Sequence, residues 1–344
     1  MSRILSGMRP TGPLHLGHLL GALRNWVELQ RTSECYFMVA DLHALMGEYE
    51  KPGALRDNSI NMVIDWIACG IDPDKSAIFI QSDLPEHSEL AVLLGMLTPL
   101  GWLERNPTYK EQLREIEGRD LTTYGFFGYP VLQAADILLY RADKVPVGED
   151  QLAHLELIRE LVRRFNFLYG SDNSDALVEP QPNLTPQARI LGVDRRKMSK
   201  SYGNAINLSD DEETVRKKIG SMITDPERAR LTDPGHPDAC NVFSYYGIFA
   251  KDRQPEVRSW CEGARKGCTD CKKELAGSVV EALRPIRERR SDLMKRISAE
   301  PGYLDEILRR GAEKARDTAS ETLRRVRRAM GLTRKTAVAA GGRR

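Results

Sequence analysis

GPLHLGHLLGALRN, residues 12–25, sets two histidines, His15 and His18, three residues apart, where a glycine-rich loop gives way to a helical pattern. Histidine is a middling helix former and glycine a poor one, so their concentration at a helix start asks for a reason beyond folding. Upstream, RILSG reads as a strand; downstream, Leu20, Leu23 and Val27 recur at helical spacing. A strand feeding a helix through such a loop opens a parallel α/β sheet, whose ligands bind at the C-terminal strand ends. A helix N-terminus there offers backbone N–H groups and the positive end of a dipole, a setting for phosphate. Gly17 removes a side chain that would obstruct a base or ribose, and both imidazoles can donate to phosphate oxygens. No third His, Asp or Glu stands at metal-ligand spacing. Two surface histidines at a helix start are the plain alternative.

The alternation continues outward from this unit. CYFMVAD, SAIFIQ and KVPVG read as further strands, and LRDNSINMVIDWIAC, ELAVLLGMLTPL, VLQAADILLY and DQLAHLELIRELVRRF as helices. The fold expected is a Rossmann-like parallel sheet over residues 1–195, with an inserted helical segment after the third strand. Beyond RRKMSKSYGN the strands cease. Ser209 and Glu212 form a capping-box pair ahead of a helix, Pro285 suggests a kink, and Gly331 a helix stop. Residues 196–332 are expected to form an all-helical domain, and 333–344 a disordered basic tail.

Length and composition fit a two-domain globular chain: 344 residues, 29% charged, net charge +2. From Glu281 to Arg344 the chain carries 18 Lys+Arg against 9 Asp+Glu, a basic module of the kind that meets polyanions. No apolar run approaches the ~20 residues of a membrane span, and no secretory h-region is evident. Six cysteines without such a signal point to a reducing, cytoplasmic setting.

A second motif, KMSKS (Lys197–Ser201), places two lysines around Met198 and Ser199 beside Gly203. Such a loop can fold over a triphosphate and set two ammonium groups on developing charge. HLGH and KMSKS in this order resemble the paired signature of class I aminoacyl-tRNA synthetases. SGMRPTGPLHLGH, YPVLQAADILLY, VPVGEDQ and KMSKS together resemble the bacterial-type tryptophanyl-tRNA synthetases, over Ile4 to about Leu332. That resemblance implies a nucleotide-binding α/β domain, a helical anticodon-binding domain and a homodimer. It also implies activation of L-tryptophan with Mg-ATP to tryptophanyl-adenylate, then transfer to the terminal ribose of tRNA(Trp).

Carried over residue by residue, the resemblance sets Arg9, Thr11, Gly17, His18, Gly148, Asp150, Lys197, Met198, Ser199 and Lys200 around ATP. His15, His18, Lys197 and Lys200 cover the phosphates, and Lys200 meets leaving-group charge. Lys110 is a further phosphate candidate. Leu5, Gly7, Tyr129, Gln133, Asp136 and Gln151 surround tryptophan. An indole N–H is only a donor, so a carboxylate at Asp136 suits it. An Asp136–Arg141 ion pair is the structural alternative. No protein nucleophile is required; positioning and electrostatics suffice. Tyrosyl-tRNA synthetase is the rival within the fold, but Leu5 and Arg9 stand where it typically supplies a tyrosine and an aspartate. A non-catalytic RNA- or protein-binding paralogue and a small-metabolite nucleotidyltransferase are the alternatives from other classes.

Cys240, Cys261, Cys268 and Cys271 follow a C-x20-C-x6-C-x2-C spacing in the helical part. Four thiolates can complete a tetrahedral set. Similar spacing occurs in a subset of the resembled synthetases that carries a [4Fe–4S] cluster; zinc is the alternative. Cys35 and Cys69 read as packing residues.

Overall fold

Successive residues of the first strand bury opposite faces. In β1 (Arg3–Met8), Ile4 joins one apolar cluster and Leu5 the other. In β2 (Glu34–Val39), Cys35, Phe37 and Val39 face the first and Tyr36 and Met38 the second. A strand buried on both faces belongs in a parallel sheet wrapped by helices. The computed structural model describes residues 2–106, 122–148, 151–170, 176–184 and 190–333. In it β3 (Ala77–Ile80), β4 (Lys144–Val147) and β5 (Gln181–Leu184) complete a five-stranded sheet of order β3-β2-β1-β4-β5, with every pairing parallel. The chain builds outward from β1 to β3, then returns to β4 on the other side of β1. The order therefore reverses between β1 and β4, the place where such sheets hold ligands.

The helix after β1 opens at Leu16–His18, widens to a π turn over Leu19–Leu23 and continues as Arg24–Leu29. π turns are uncommon and frequent at functional sites. Gly70, at φ 108°, ends the Leu55–Cys69 helix as a left-handed cap. The helices Glu86–Gly95, Tyr129–Leu139 and Leu152–Tyr169 cover the second face.

After the KMSKS loop the described chain is helical. The helix Glu212–Gly220 is capped by Asp211, whose side chain accepts from Thr214 N, rather than by the Ser209–Glu212 box. Asp211 has the extended backbone an N-cap needs and stands directly before the first helical residue. The helix Cys268–Ala299 runs on through Pro285. Its buried residues and those of Asn241–Phe249 share the first core cluster with β1 and β2.

The last helix, Tyr303–Ala329, returns to the sheet and lies against the edge strand β3. Ala312, Ala315, Ala319, Leu323 and Val326 join the second core cluster. Residues 107–121, with Lys110, and 334–344 of the tail lie outside the described residues.

Candidate functional site

Two backbone hydrogen bonds bring the two signature segments together. Leu16 N donates to Ile206 O at 3.0 Å, and Leu208 N to Leu14 O at 2.8 Å. The stretch after KMSKS thereby runs alongside the start of the HLGH turn. KMSKS itself is held from within. Asn204 donates through Nδ2 to Asp194 Oδ1 and Lys197 O, and accepts from Ser199 N through Oδ1. Met198 anchors the loop in the core at 5% exposure, Lys197 is exposed, and Lys200 reaches across to donate from Nζ to Gly12 O at 2.8 Å.

At the HLGH turn the imidazoles cap their own helix. Gly17 N donates to His15 Nδ1, and His15 N donates to His18 Nδ1, both at 3.1 Å. A ring nitrogen that accepts carries no proton, so each neutral ring holds its proton on Nε2. Burial, then the charge of Lys200, pushes His15 down to about 4. Burial, His15 and Lys200 push His18 down to about 3. Both imidazoles are therefore neutral Nε2–H donors at neutral pH. The expectation of open backbone N–H groups at this turn is revised. Leu16 N serves Ile206, Gly17 N serves His15 Nδ1, and His18 N serves His15 O. What the turn offers an anion is imidazole, with Lys200 beside it. Gly17 has a different role as well. A Cβ there would stand 2.9 Å from His15 Cε1, so the glycine makes room for the capping ring. Gly7 similarly yields to the Met38 carbonyl, 2.7 Å from where its Cβ would lie.

Arg9 and Thr11 are exposed on the loop between β1 and this turn. Lys200 is pushed down to about 8 by burial and then by the charge of Arg9. From β4, Gly148 leads into the Leu152–Tyr169 helix, and Gln151 N donates to Gly148 O. Asp150 lies outside the described residues.

Tyr129, Gln133 and Asp136 fall at i, i+4 and i+7 on the Tyr129–Leu139 helix, one face of it. Leu5, 3% exposed, shares the second cluster with Ala134, Ala135 and Leu138 of that helix. Asp136 is 2% exposed and does not pair with Arg141, whose Nη1 donates to Ala176 O instead. Its partners are His43, Gln81 and His87. Burial alone would raise its pKa; the hydrogen bonds from His43 and His87 outweigh burial and bring it to about 2. Asp136 is thus an ionised, buried acceptor. Tyr129 Oη lies 2.8 Å from His154 Nε2, and His154 Nδ1 lies 3.0 Å from Gln151 Oε1. The amide oxygen can only accept, so Nδ1 carries the proton and Tyr129 donates to Nε2. Burial pushes the Tyr129 phenol up to about 12, so it remains protonated.

His43, Gln81, His87, His154 and Asn204 were not singled out by the sequence. A signal existed for the histidines. Of six in the chain, five line this region: His15, His18, His43, His87 and His154.

The four helical-region cysteines are half-buried free thiols. Cys240, Cys261 and Cys271 each sense Cys268 electrostatically, and Cys271 senses all three others. Arg228 Nη1 lies 3.9 Å from Cys268 Sγ. Among the described residues, no three His, Cys, Asp or Glu side chains are drawn together as a group able to hold a metal ion. Nor is any described helix long and apolar enough to cross a membrane.

Comparison with known proteins agrees with this geometry. Residues 1–284 match the family model of the tRNA synthetases class I (W and Y). A tryptophan–tRNA ligase of Thermotoga maritima is 48% identical over 96% of this chain and 99% of its own length. One from Aquifex aeolicus is 43% identical over 96% and 100%. The crystal structure of tryptophanyl-tRNA synthetase from Campylobacter jejuni, complexed with ADP and tryptophan, superposes with a TM-score of 0.85 at 34% identity. It covers 96% of this chain and 100% of that one. With a doubly wound sheet, an HLGH turn tied to a KMSKS loop at the strand-order switch, and relatives matched end to end, the chain belongs to the class I tRNA synthetases (W and Y).

Proposed function

We propose that the chain is a tryptophan–tRNA ligase. The observation that carries this reading is the buried Asp136 carboxylate, bonded to His43, Gln81 and His87, in a chain whose HLGH loop is tied to KMSKS through Lys200. In the first step the tryptophan carboxylate attacks the α-phosphorus of ATP, and pyrophosphate leaves. His15 and His18 donate from Nε2 to phosphate oxygens, and Lys197 and Lys200 meet the charge that builds on the leaving group. Mg2+, expected with ATP in this family, would supply further charge neutralisation at the phosphates when bound. Tyr129 and Gln151, both aligned by His154, take the amino-acid end together with Gln133; the resemblance assigns Gly148 and Asp150 to the ribose. In the second step a ribose hydroxyl of tRNA(Trp) attacks the adenylate carbonyl, and AMP leaves. Tryptophan-dependent pyrophosphate–ATP exchange tests the reading. Exchange with tyrosine instead would assign the chain to the rival specificity, and exchange with neither would make it a binding paralogue.

The finer parts of the proposal are these. Residues 1–195 form the catalytic domain and 196–332 the anticodon-binding one, whose excess of Lys and Arg from Glu281 onward supports contact with tRNA phosphates. A homodimer follows from the resemblance; exposed apolar side chains such as Val92, Met96 and Leu100, 58%, 71% and 66% exposed, are compatible with it. Free cysteines throughout support a cytoplasmic setting. Cys240, Cys261, Cys268 and Cys271 would hold a [4Fe–4S] cluster, or zinc. What supports this is the all-thiol donor set and the guanidinium at Cys268. Iron, sulfide and zinc analysis of anaerobically prepared protein decides between them.

A further inference from the structure

Asp136 has more partners than one substrate donor accounts for. Its Oδ1 accepts from Gln81 Nε2 at 2.8 Å and faces His87 Nδ1 at 2.7 Å. Its Oδ2 faces His43 Nε2 at 2.8 Å. The other nitrogen of His87, Nε2, lies 2.8 Å from the Tyr140 hydroxyl. Gln81, His87 and Tyr140 are wholly buried.

The proton positions follow from chemistry. An ionised carboxylate only accepts, so His87 Nδ1 carries a proton toward it. Burial and the nearby Asp136 charge raise Tyr140 well above the ordinary phenol range, so its O–H persists and donates to His87 Nε2. The Tyr140 ring is itself held, stacked on Tyr36 at 4.8 Å and 28°. Tyr36 Oη in turn lies 2.9 Å from Thr318 Oγ1 on the last helix. Gln81 spends its N–H on Asp136 while its Oε1 is buried with no hydrogen-bond partner.

Each carboxylate oxygen takes about two donors. Gln81 and His87 fill Oδ1; His43 leaves one place on Oδ2. We infer that His87, locked by Tyr140, is a positioning residue for substrate selection. With Gln81 it saturates Oδ1, so that the indole N–H is received by Oδ2, beside His43. This rests on the reading of Asp136 as the indole acceptor.

The test uses the full-length protein and pyrophosphate–ATP exchange, with KM and kcat measured separately. One substrate is tryptophan, the other its analogue with sulfur in place of the indole N–H. His87→Leu is expected to raise the tryptophan KM about three- to tenfold with kcat little changed. The sulfur analogue should be nearly unaffected. His87→Asn, which keeps a donor nitrogen where Nδ1 stands, should restore most of the preference. Tyr140→Phe removes one oxygen and keeps the stack, and it should shift KM the same way by a smaller factor. It carries the test if His87→Leu does not fold. Equal losses for both substrates, or no loss for either, overturn the proposal. Asp136→Ala, which removes the acceptor, separates the two levels. If it abolishes the preference while the His87 and Tyr140 variants keep it, the positioning role alone fails. If Asp136→Ala leaves the preference intact, the acceptor reading fails and takes the proposal with it.

Discussion

Lys200 Nζ donates to the carbonyl oxygen of Gly12 at 2.8 Å, joining residues 188 apart in the chain. The KMSKS ammonium is thereby parked on the loop that leads to the HLGH turn. To serve a phosphate it has only to exchange a neutral carbonyl for an anionic oxygen, a stronger acceptor.

The charge on that ammonium is pH-sensitive in the range where the enzyme is assayed. Burial and Arg9 hold Lys200 at about 8. The charged form is the acid form, so kcat/KM for ATP should fall as pH rises through about 8. Bound phosphate favours the ammonium, so the corresponding limb in kcat should lie at higher pH. Lys200→Met should lower exchange by roughly 10²–10³-fold and remove the limb. A pH profile of the two proteins checks this, and an unchanged alkaline limb in the variant would assign it to another group.

The histidines make an opposite prediction. Held at about 4 and about 3, His15 and His18 should contribute no activity limb near pH 6.5. Their mark is on stability. In the unfolded chain both titrate near pH 6.5, so between there and the folded values unfolding takes up protons. Their contribution is complete above pH 6.5 and is lost as pH falls toward 3. The denaturant midpoint should drop between pH 7 and pH 5, and drop less in His15→Asn/His18→Asn. Asparagine can keep the Nδ1-like cap, so this variant should fold while losing exchange activity.

The parts of the site legible from sequence were those written in contiguous motifs: His15, His18 and Lys200. The strands with β-branched or aromatic residues, β1 to β3, were equally visible. β5 was not. QPNL has no apolar alternation and three of its four residues are exposed, so only pairing with β4 defines it. Asp136 was found by resemblance, but its partners come from the third residue of one helix, the turn after β3 and the start of another helix. Sequence separation hides such a cluster, because each member is by itself an ordinary polar residue near an element end. The return of the last helix to β3 was hidden for a similar reason. Its apolar stripe shows an amphipathic helix without saying which surface it meets.

That return can be tested at a single atom. Gly311 sits within the Tyr303–Ala329 helix, where alanine would be favoured by roughly 1 kcal/mol. A Cβ there would lie 1.9 Å from the Ile78 carbonyl oxygen of β3, a backbone atom that cannot turn aside. Gly277, inside the Cys268–Ala299 helix, has nothing within 4 Å of its Cβ position. Gly311→Ala should therefore destabilise by about 1–3 kcal/mol. Gly277→Ala should stabilise by up to about 1 kcal/mol. Thermal or denaturant unfolding of the pair decides; changes of the same sign would contradict the packing of the last helix on β3.

The Leu55–Cys69 helix is also tied to the Cys268–Ala299 helix through an ion pair with a buried carboxylate. Arg290 Nε meets Asp65 Oδ1 at 2.8 Å, with the Asp65 side chain 4% exposed. Arg290 also bonds Asn61, and Arg289 Nε donates to Ala68 O. Burial raises the Asp65 pKa, while Arg290 and a hydrogen bond from the Leu14 backbone oppose the rise. Leu14 immediately precedes His15, so this pair braces the HLGH turn from below. Removing the guanidinium strands a buried carboxylate, at a cost of about 2–4 kcal/mol once the partial exposure of Arg290 is allowed for. The stranded carboxyl should take up a proton more readily, so the loss in Arg290→Ala should shrink as pH is lowered from 7 toward 5. Asp65→Asn should relieve part of it, giving a coupling of the two sites in a double-mutant cycle of stability. Additive losses, independent of pH, would mean that Arg290 acts by packing its stem and not by neutralising Asp65.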